Sequence, residues 1–504
     1  MAHVVSRRTF LKGLGASAGA LTLSGGFVHK VLAQTSITAV TQGTVDTMEV
    51  TRNNDPNTQL LANLYDGLLR RDIQGNLQPA LATSFEQTAV DKWRFNLREG
   101  VKFHNGNDFN AADVKFTLER LKEDFSERNF FGSMITGVDV IDDFTVDVNT
   151  DGSVPFLASI MHAIFMLDAE SSEGRSLEDL AQNAIGTGAY RLVDWAPADF
   201  VQMEANADYW AGAPAIQSVL HQQISDNSTR FAALVSGDAQ LVQALPTQFV
   251  EQLSDNNDVD VKTRAGRQLI FFSPSFAEGS VFTDLAVRQA VYHALDAQLV
   301  IDVALDGFGA PGAQIPDPAT IGHNPDIQRL EFNQERARQL LSDAGLGDGF
   351  DLVVDVTNDQ FVNDVGVGQA VAQQLQQVGI NAEVQARPAG AFFDDFDKDF
   401  FIVGWSDDAF DFGRTAGNLL TTGSFFNANQ YSNADFDALI EQANSTVDVN
   451  ERAALLRQAN KLAMDDVALV PLHFEGNVWG AAANLNFVPR SENWTVYRDL
   501  VPGL

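Results

Sequence analysis

The chain contains 504 residues, of which 67 are acidic and 33 are basic, so its formal net charge is −34 at pH 7. A surface of this sign repels phosphate backbones, and binding to nucleic acid is therefore not expected. The sequence contains no cysteine, which excludes disulfides, thiolate metal ligands and cysteine nucleophiles.

The N-terminal segment is predicted to be an export signal. Residues 6–26, SRRTFLKGLGASAGALTLSGG, begin with basic residues and continue with a short apolar stretch and small residues, the layout of a cleavable signal peptide. Arg7 and Arg8, followed by Phe-Leu-Lys, are typical of twin-arginine signals, which export folded proteins. Cleavage is predicted after Ala33; losing four basic residues and no acid would change the net charge from −34 to −38. The predicted location is periplasmic, without a lipid anchor.

Two short motifs of enzymes occur, and neither has the surroundings that its chemistry requires. Residues 15–19 spell G-x-S-x-G around Ser17, but hydrolases hold this serine between a strand and a helix, whereas here it lies within the export signal. Residues 307–312, GFGAPG, follow a predicted helix and contain a proline, unlike a dinucleotide-binding turn. No H-E-x-x-H motif occurs, and no histidine pair has metal-ligand spacing on one helix. No catalytic residue, metal site or cofactor is therefore expected.

The first half of the mature chain is predicted to contain strands, hairpins and one clear helix. Residues 64–86 and 92–106 hold short apolar segments interrupted by Asp-Gly, Gly-Asn and Asn-Gly, which favours strands joined by turns. Residues 110–124 have helical periodicity, with Asn110 as the N-cap and Asp113 three residues later.

The middle of the chain mixes both element types. Strands are predicted at residues 188–195 and 259–264, and a helix is predicted to begin near Ser228. Residues 285–305 are predicted to form one amphipathic helix, because the apolar residues Val287, Val291, Leu295 and Leu299 recur four apart.

From Asn333 onward the pattern alternates between helices and strands. The predicted order is helix 333–345, strand 350–357, helix 367–379, strand 380–386 and strand 400–405. The last of these, FFIVGW, is a continuous apolar run, as expected for a buried parallel strand. Such βαβ sheets bind ligands outside the carboxyl ends of their strands.

The residues that follow this strand are therefore the first candidates for a binding site. Trp405, Ser406, Asp408 and Asp411 place an indole, a hydroxyl and carboxylates where a buried strand opens into a crevice. A carboxylate in an aromatic cleft requires a cationic partner, and a ligand ammonium would supply one. The alternative is a solvated acidic loop.

The chain resembles the family-5 solute-binding proteins of ABC importers, the receptors for dipeptides, oligopeptides and nickel. The resemblance extends from about Thr38 to the C-terminus. The stretches that carry it are LYDGLLRRDIQGNLQPALATSFE, WRFNLREGVKFHNGNDFNAADVKFTLERL, GTGAYRLVDW, DYWAGAP, VRQAVYHALD, LLSDAG and GWSDDAFDF.

The resemblance implies an α/β fold of the type II periplasmic-binding-protein class, with two lobes that close about a hinge and an extra domain. Carried over onto this chain, the parts are the signal peptide at 1–33, lobe I at 36–52 with 184–264 and 477–504, the extra domain at 53–183, and lobe II at 265–476.

The resemblance also implies candidate ligand contacts. Asp408 matches the position that pairs with the ligand α-amino group in the dipeptide receptors, although Asp407 and Phe412 replace their usual Gly and Pro. Phe272 matches a strand along the cleft, with core packing as the alternative, and Asn53 and Asn54 match a loop on the opposite side.

A basic partner for a ligand carboxylate is harder to place. The dipeptide receptors supply an arginine after the strand that corresponds to residues 350–357, but no Lys or Arg lies between Arg338 and Arg387. Arg387 or Arg414 could substitute, while Arg387-Pro388 could also simply end a strand.

The implied function is capture of a small solute and its delivery to a membrane permease by a monomeric receptor. A dipeptide, an oligopeptide or another amino-terminated peptide-like compound is the expected ligand. The alternatives are a nickel chelate, haem, an opine, a glutathione-like compound or an oligosaccharide, and an exported hydrolase is the alternative of a different class.

Overall fold

The computed structural model describes residues 36–52, 55–394, 400–407 and 409–503. The predicted signal peptide and its cleavage site lie outside these ranges, as do three predicted ligand contacts, Asn53, Asn54 and Asp408. Within the described ranges, no helix has the length and apolar character needed to cross a membrane.

The described part of the chain alternates between α-helices and β-strands. The strands are β1 Ser36–Thr41, β2 Leu69–Arg71, β3 Leu77–Pro79, β4 Ala82–Ala89, β5 Lys92–Leu97, β6 Ile135–Asp142, β7 Thr145–Thr150, β8 Tyr190–Ala196, β9 Phe200–Ala205, β10 Ser218–Gln223, β11 Leu241–Gln243, β12 Val259–Pro274, β13 Gly309–Pro311, β14 Phe350–Thr357, β15 Ile380–Arg387, β16 Phe400–Trp405, β17 Val470–Ala482, β18 Leu485–Asn486 and β19 Val501–Pro502. The helices are α1 Asp55–Leu64, α2 Ala111–Arg120, α3 Asn129–Ser133, α4 Leu157–Ile160, α5 Ala169–Ser172, α6 Leu177–Gln182, α7 Asn227–Val235, α8 Leu285–Ala294, α9 Ala297–Ala304, α10 Gln334–Asp343, α11 Asp364–Gln376, α12 Ala389–Phe393, α13 Phe412–Leu419, α14 Ala434–Ser445 and α15 Val449–Asp465.

A large mixed sheet organises most of these strands. Its order is β15-β14-β16-β12-β17-β11-β1-β10-β9-β8, and β13 adds to β17. Strands β14 and β15 run parallel, whereas β12 and β17 form a long antiparallel pair in the middle of the sheet. These two long strands therefore connect the β14–β16 side of the sheet to the β1–β10 side.

Each side of the sheet has its own buried core. On the β14–β16 side, Val354, Val371 and Phe400 belong to one core with helices α8 to α11. On the other side, Ile37 and Trp479 belong to a second core. The predicted residue boundaries of the two lobes stay a prediction.

A separate four-stranded antiparallel sheet, in the order β4-β5-β7-β6, forms within residues 82–150. Its apolar face includes Phe95 and Val146, and helix α2 packs with it. The predicted start of α2 is confirmed, because Asn110 and Asp113 form a reciprocal capping box.

Strands β14 and β16 have the predicted bounds, but the prediction of one helix over residues 285–305 is wrong. Helix α8 ends at Ala294, and Leu295 has extended backbone angles. Asp296 then caps α9, since its side chain accepts a hydrogen bond from the Leu299 N–H. The apolar periodicity continues across both helices, but the capping aspartate begins a new helix within it.

Candidate functional site

The pairing of the two central strands, β12 and β17, is interrupted where they pass from one side of the sheet to the other. Ala265 of β12 pairs with Gly476 of β17, and the next pair is Leu269 with Phe474. Residues 266–268 therefore form a bulge, a feature that re-aims side chains and is frequent beside functional sites.

A close approach of backbones at this bulge requires glycine. A Cβ atom on Gly266 would lie 2.7 Å from the Asn477 side-chain nitrogen and 3.0 Å from the Glu475 carbonyl oxygen. A Cβ atom on Gly476 would lie 2.6 Å from the Phe308 carbonyl carbon. Gly266 thus lies against β17, and Gly476 lies against the backbone at Phe308.

Beside this bulge lies a polar cavity of about 170 Å³, which we call the crossing cavity. Its charged lining residues are Arg267, Glu475 and Glu492. Amide side chains and three aromatic rings complete most of the wall: Gln59, Gln268, Asn477, Asn493, His162, Phe410 and Trp494. A cavity with charges of both signs and several amides suits a small polar solute.

Two larger cavities adjoin the crossing cavity. One, of about 510 Å³, shares Gln268 and Ser406 with it, and we call this the aromatic cavity. The other, of about 750 Å³, shares Gly266, Arg267 and Ser491 with it. The three cavities therefore lie next to one another along the bulge of β12, and we refer to them together as the cleft.

Arg267 is held in place from several directions. Its Nε donates to Asp317 at 2.9 Å, and a terminal nitrogen donates to the Thr320 hydroxyl at 3.3 Å. Its guanidinium lies 3.2 Å from the centre of the Phe410 ring, and the guanidinium of Arg71 lies 3.5 Å from the same centre. The Phe410 ring thus contacts both guanidinium groups, and its electrons attract each of these cations.

Arg71 is a buried cation that mostly bonds to backbone oxygens. It donates to the Gly75 carbonyl at 2.8 Å and to the Ser159 and Ala409 carbonyls at 3.3 Å. Burial, with the positive charge of Arg267, lowers the pKa of Arg71 to about 9. The bond to Ala409 ties the loop after β16 to the N-terminal half of the chain.

Glu475 is a half-buried carboxylate that faces the crossing cavity. One of its oxygens accepts a hydrogen bond from the Val362 N–H at 3.0 Å. Burial raises the pKa of this carboxyl group, and the negative charge of Asp364 adds to the effect. Within the described ranges, no Lys, Arg or His forms an ion pair with Glu475. A ligand cation would supply the partner that this carboxylate lacks there.

The other ionisable groups of the wall have partners within the protein. Glu492 accepts a hydrogen bond from Arg490 at 2.6 Å. His162 bonds to the Ser159 carbonyl at 2.7 Å and stacks on Trp494 with ring centres 5.4 Å apart. Burial, together with the charge of Arg71, lowers the pKa of His162 well below its usual value, so its ring is neutral at pH 7.

The structure brings two of the predicted site residues together at the cleft. Trp405 lines the aromatic cavity, and Ser406 is exposed and lines both that cavity and the crossing cavity. Asn53, Asn54 and Asp408 are not among the described residues. Their contacts with a ligand stay predictions.

Phe272 and Asp411 lie elsewhere. Phe272 is fully buried in the core beside Phe282, whereas its neighbours Phe271 and Ser273 line the aromatic cavity. Asp411 is fully buried, caps α13 by accepting from the Gly413 N–H at 2.9 Å, and pairs with Arg452 at 2.5 and 2.8 Å. Ligand contacts by Phe272 and Asp411 stay predictions that these surroundings do not favour.

The two arginines considered as carboxylate partners are both in ion pairs. Arg387 pairs with Asp355 at 2.8 Å, and Arg414 pairs with the buried Asp407. Burial raises the pKa of Asp407, while the charge of Arg414 opposes this effect. Neither Arg387 nor Arg414 lines any of the three cavities, whereas Arg267, although it pairs with Asp317, lines the crossing cavity.

Sequence reasoning missed Arg267, Gln268 and Glu475, which come from two strands about 200 residues apart. A local signal existed in β17, where Glu475 and Gly476 interrupt an otherwise mainly apolar strand. In β12, Gly266 beside two polar residues is a comparable signal for a bulge.

Comparison with known families decides what kind of protein carries this cleft. The sequence model of the family described as bacterial extracellular solute-binding proteins, family 5 Middle, matches residues 76–427. The chain belongs to this family. It is a solute-binding protein of the ABC-importer type, as the sequence stretches had indicated.

The relatives of this solute-binding protein cover most of its length. The glutathione-binding protein GsiB of Salmonella typhi is 28% identical over 454 residues, which are 86% of this chain and 87% of the relative. The GsiB protein of Pectobacterium atrosepticum is 29% identical over 427 residues, covering 81% of this chain and 82% of the relative.

Solved structures show the fold. HbpA2 of Haemophilus parasuis matches with a TM-score of 0.86 at 21% identity, covering 93% of this chain and 100% of that one. The periplasmic binding protein DppA of Helicobacter pylori, in complex with the peptide STSA, matches with a TM-score of 0.72 at 22% identity, covering 93% and 98%. The predicted type II periplasmic-binding-protein fold is confirmed.

Proposed function

We propose that this solute-binding protein captures an amino-terminated, peptide-like solute in the crossing cavity and delivers it to a membrane permease. The observation that carries the proposal is the placement of Glu475, a carboxylate without a described cationic partner, in the same small cavity as Arg267. A zwitterionic solute would complement both groups: its ammonium would meet a carboxylate and its carboxylate would meet the guanidinium.

The relatives support a peptide-like ligand. Proteins named as glutathione-binding cover more than four fifths of this chain, and one structural neighbour holds the peptide STSA. The amide side chains around the crossing cavity would supply donors and acceptors for the peptide groups of such a ligand.

The proposal describes a receptor rather than an enzyme. Binding would stabilise a closed arrangement of the two sides of the cleft, and the permease would recognise that arrangement. Incubation of purified protein with peptides is expected to leave them intact by mass spectrometry. Hydrolysis at a rate proportional to protein concentration would favour the hydrolase alternative.

The binding test uses a free and an N-acetylated form of the same peptide. The wild-type protein is expected to bind Ala-Phe at least about tenfold more tightly than N-acetyl-Ala-Phe in calorimetric titrations, because acetylation removes the cation. Equal affinities would contradict an ammonium anchor.

Two variants identify the anchor. Glu475→Gln and Asp408→Asn each remove one candidate carboxylate. The variant that removes the anchoring charge should abolish the preference for the free amine. Glu383→Gln is the control, because Glu383 is an exposed carboxylate on β15. Retention of the preference in both anchor variants would exclude both carboxylates.

We also propose that the mature monomer reaches the periplasm through the twin-arginine route and begins near Gln34. Replacing Arg7 and Arg8 together with Lys is expected to leave precursor in the cytoplasm, as judged by fractionation and immunoblotting. Normal export of that variant would contradict the twin-arginine route.

A further inference from the structure

The aromatic cavity differs in chemistry from the crossing cavity that it adjoins. Its wall is formed mainly by aromatic rings: Phe271, Phe361, Phe392, Phe401, Trp405 and Phe426. None of its described lining residues carries a charge. The polar groups at its wall are neutral amides and hydroxyls, among them Gln268 and Ser406 at the junction with the crossing cavity.

Three phenylalanines that line this cavity, Phe393, Phe425 and Phe426, are exposed to solvent, which is unusual for this residue. The exposed fraction is 84% for Phe425, 46% for Phe426 and 38% for Phe393. Contiguous exposed apolar surface on a soluble protein marks a place where another apolar group binds. The rings of Trp405 and Phe426 are 5.6 Å apart in an edge-to-face arrangement, so the surface has a defined shape.

We propose that the aromatic cavity binds a bulky apolar group of the same solute whose charged part occupies the crossing cavity. This inference rests on the proposed function and adds the substrate class: solutes with an aromatic or large aliphatic side chain. Gln268 and Ser406 line both cavities, and the proposed solute extends past these two side chains from one cavity into the other. The cavity volume of about 510 Å³ lies within the range of small-molecule sites, about 300–1,000 Å³.

The expected selectivity follows from what each side chain would meet in this cavity. A phenyl group would be removed from water against apolar walls, which favours binding. A methyl group would leave most of the cavity unfilled. A carboxylate or ammonium would lose its hydration without meeting an opposite charge among the described lining residues, which disfavours binding.

The test is a calorimetric titration of the wild-type protein with dipeptides in both residue orders. The probes are Ala-Ala, Ala-Phe, Phe-Ala, Ala-Glu and Glu-Ala. At least one phenylalanine isomer is expected to bind about tenfold or more tightly than Ala-Ala, since burial of a phenyl group contributes at least that factor. In the same residue order, the glutamate isomer is expected to bind more weakly than Ala-Ala.

The outcomes separate this inference from the function on which it rests. If the dipeptides bind with equal affinities, the inference is overturned while the receptor for peptides stands. If none of them binds, both the proposed function and the inference are overturned.

A pair of matched variants tests whether the aromatic cavity causes the preference for phenylalanine dipeptides. Phe426 and Phe332 have nearly equal exposed fractions, 46% and 47%, but only Phe426 lines the cavity. Phe426→Ala is expected to reduce the affinity ratio between the better phenylalanine isomer and Ala-Ala at least threefold, while Phe332→Ala leaves it unchanged. An equal ratio in both variants and in the wild type would overturn the assignment to this cavity.

Discussion

Phe410 shows how a single residue can hold charged groups inside the protein. Its backbone has a φ of 54°, a conformation that costs free energy for a residue with a side chain. The ring contacts the guanidinium groups of both Arg71 and Arg267. The ring is nearly fully buried, so both cation–π contacts form away from water.

Phe410→Leu tests these contacts while keeping an apolar side chain. We expect the free energy of unfolding to fall by about 2 kcal/mol or more, because two desolvated cation–π contacts are lost. Guanidinium chloride denaturation measures this change. Phe332→Leu, at a half-exposed position, is the control, and an equal effect of both substitutions would contradict the role of the ring.

His221 is expected to make stability depend on pH. Burial lowers its pKa to about 4, whereas an unfolded histidine titrates near 6.5. The unfolded state therefore binds the proton more readily below about pH 6.5, and stability falls as pH falls. The expected loss between pH 7.5 and 5 is about 2 kcal/mol from this residue. His221→Asn should show a correspondingly smaller loss in denaturant titrations, and an unchanged pH dependence would contradict the assignment.

The side chain of Asp411 stabilises the start of helix α13 and its packing against helix α15. Asp411 caps the first turn of α13 and also pairs with Arg452 on α15. Asp411→Asn keeps a capping oxygen but leaves the buried guanidinium without its counter-charge. We expect the free energy of unfolding to fall by about 3 kcal/mol, with peptide affinity of the folded protein unchanged. Denaturation and titration of the same variant test both parts, and a loss of affinity would support a ligand contact instead.

The elements were predictable where the pattern is local. The continuous apolar run of β16 and the capping residue of α2 gave the correct element types and starts. The break between α8 and α9 was missed, because apolar residues four apart continue through it while Asp296 begins a new helix.

The cleft was only partly predictable. Trp405 and Ser406 were predicted to lie at the binding site, because the apolar run of β16 shows where this buried strand ends. Phe272 lies in the core while its neighbours Phe271 and Ser273 line the aromatic cavity, since successive residues of a strand point to opposite faces, and its contact with a ligand stays a prediction. Arg267 and Glu475 line the same cavity because β12 pairs with β17, and no local pattern encodes that pairing.

At the scale of the whole molecule, the crossing of β12 and β17 joins the two sides of the sheet. Gly266→Ala would place a Cβ atom 2.7 Å from the Asn477 side-chain nitrogen and 3.0 Å from the Glu475 carbonyl oxygen, so that side chain must move and the backbone contact is tight. We expect a loss of about 1–3 kcal/mol in the free energy of unfolding and weaker peptide binding, because Arg267 and Gln268 move with the strand.

The control for this prediction is Gly417→Ala. Gly417 lies in α13 and has open space where a Cβ atom would be placed. This substitution should leave binding unchanged and preserve or raise stability, since alanine favours helix over glycine. Equal effects of the two substitutions, measured by urea denaturation and calorimetric titration, would contradict a special role of the crossing.

We propose that this receptor encloses a peptide-like solute in the cleft along β12. Calorimetric titration of the mature wild-type protein with Ala-Phe at several temperatures tests it most directly. We expect saturable binding of one peptide per protein with a negative heat-capacity change, because apolar surface is buried in the aromatic cavity. Absence of saturable binding to Ala-Phe, Phe-Ala and the other dipeptides would contradict the claim.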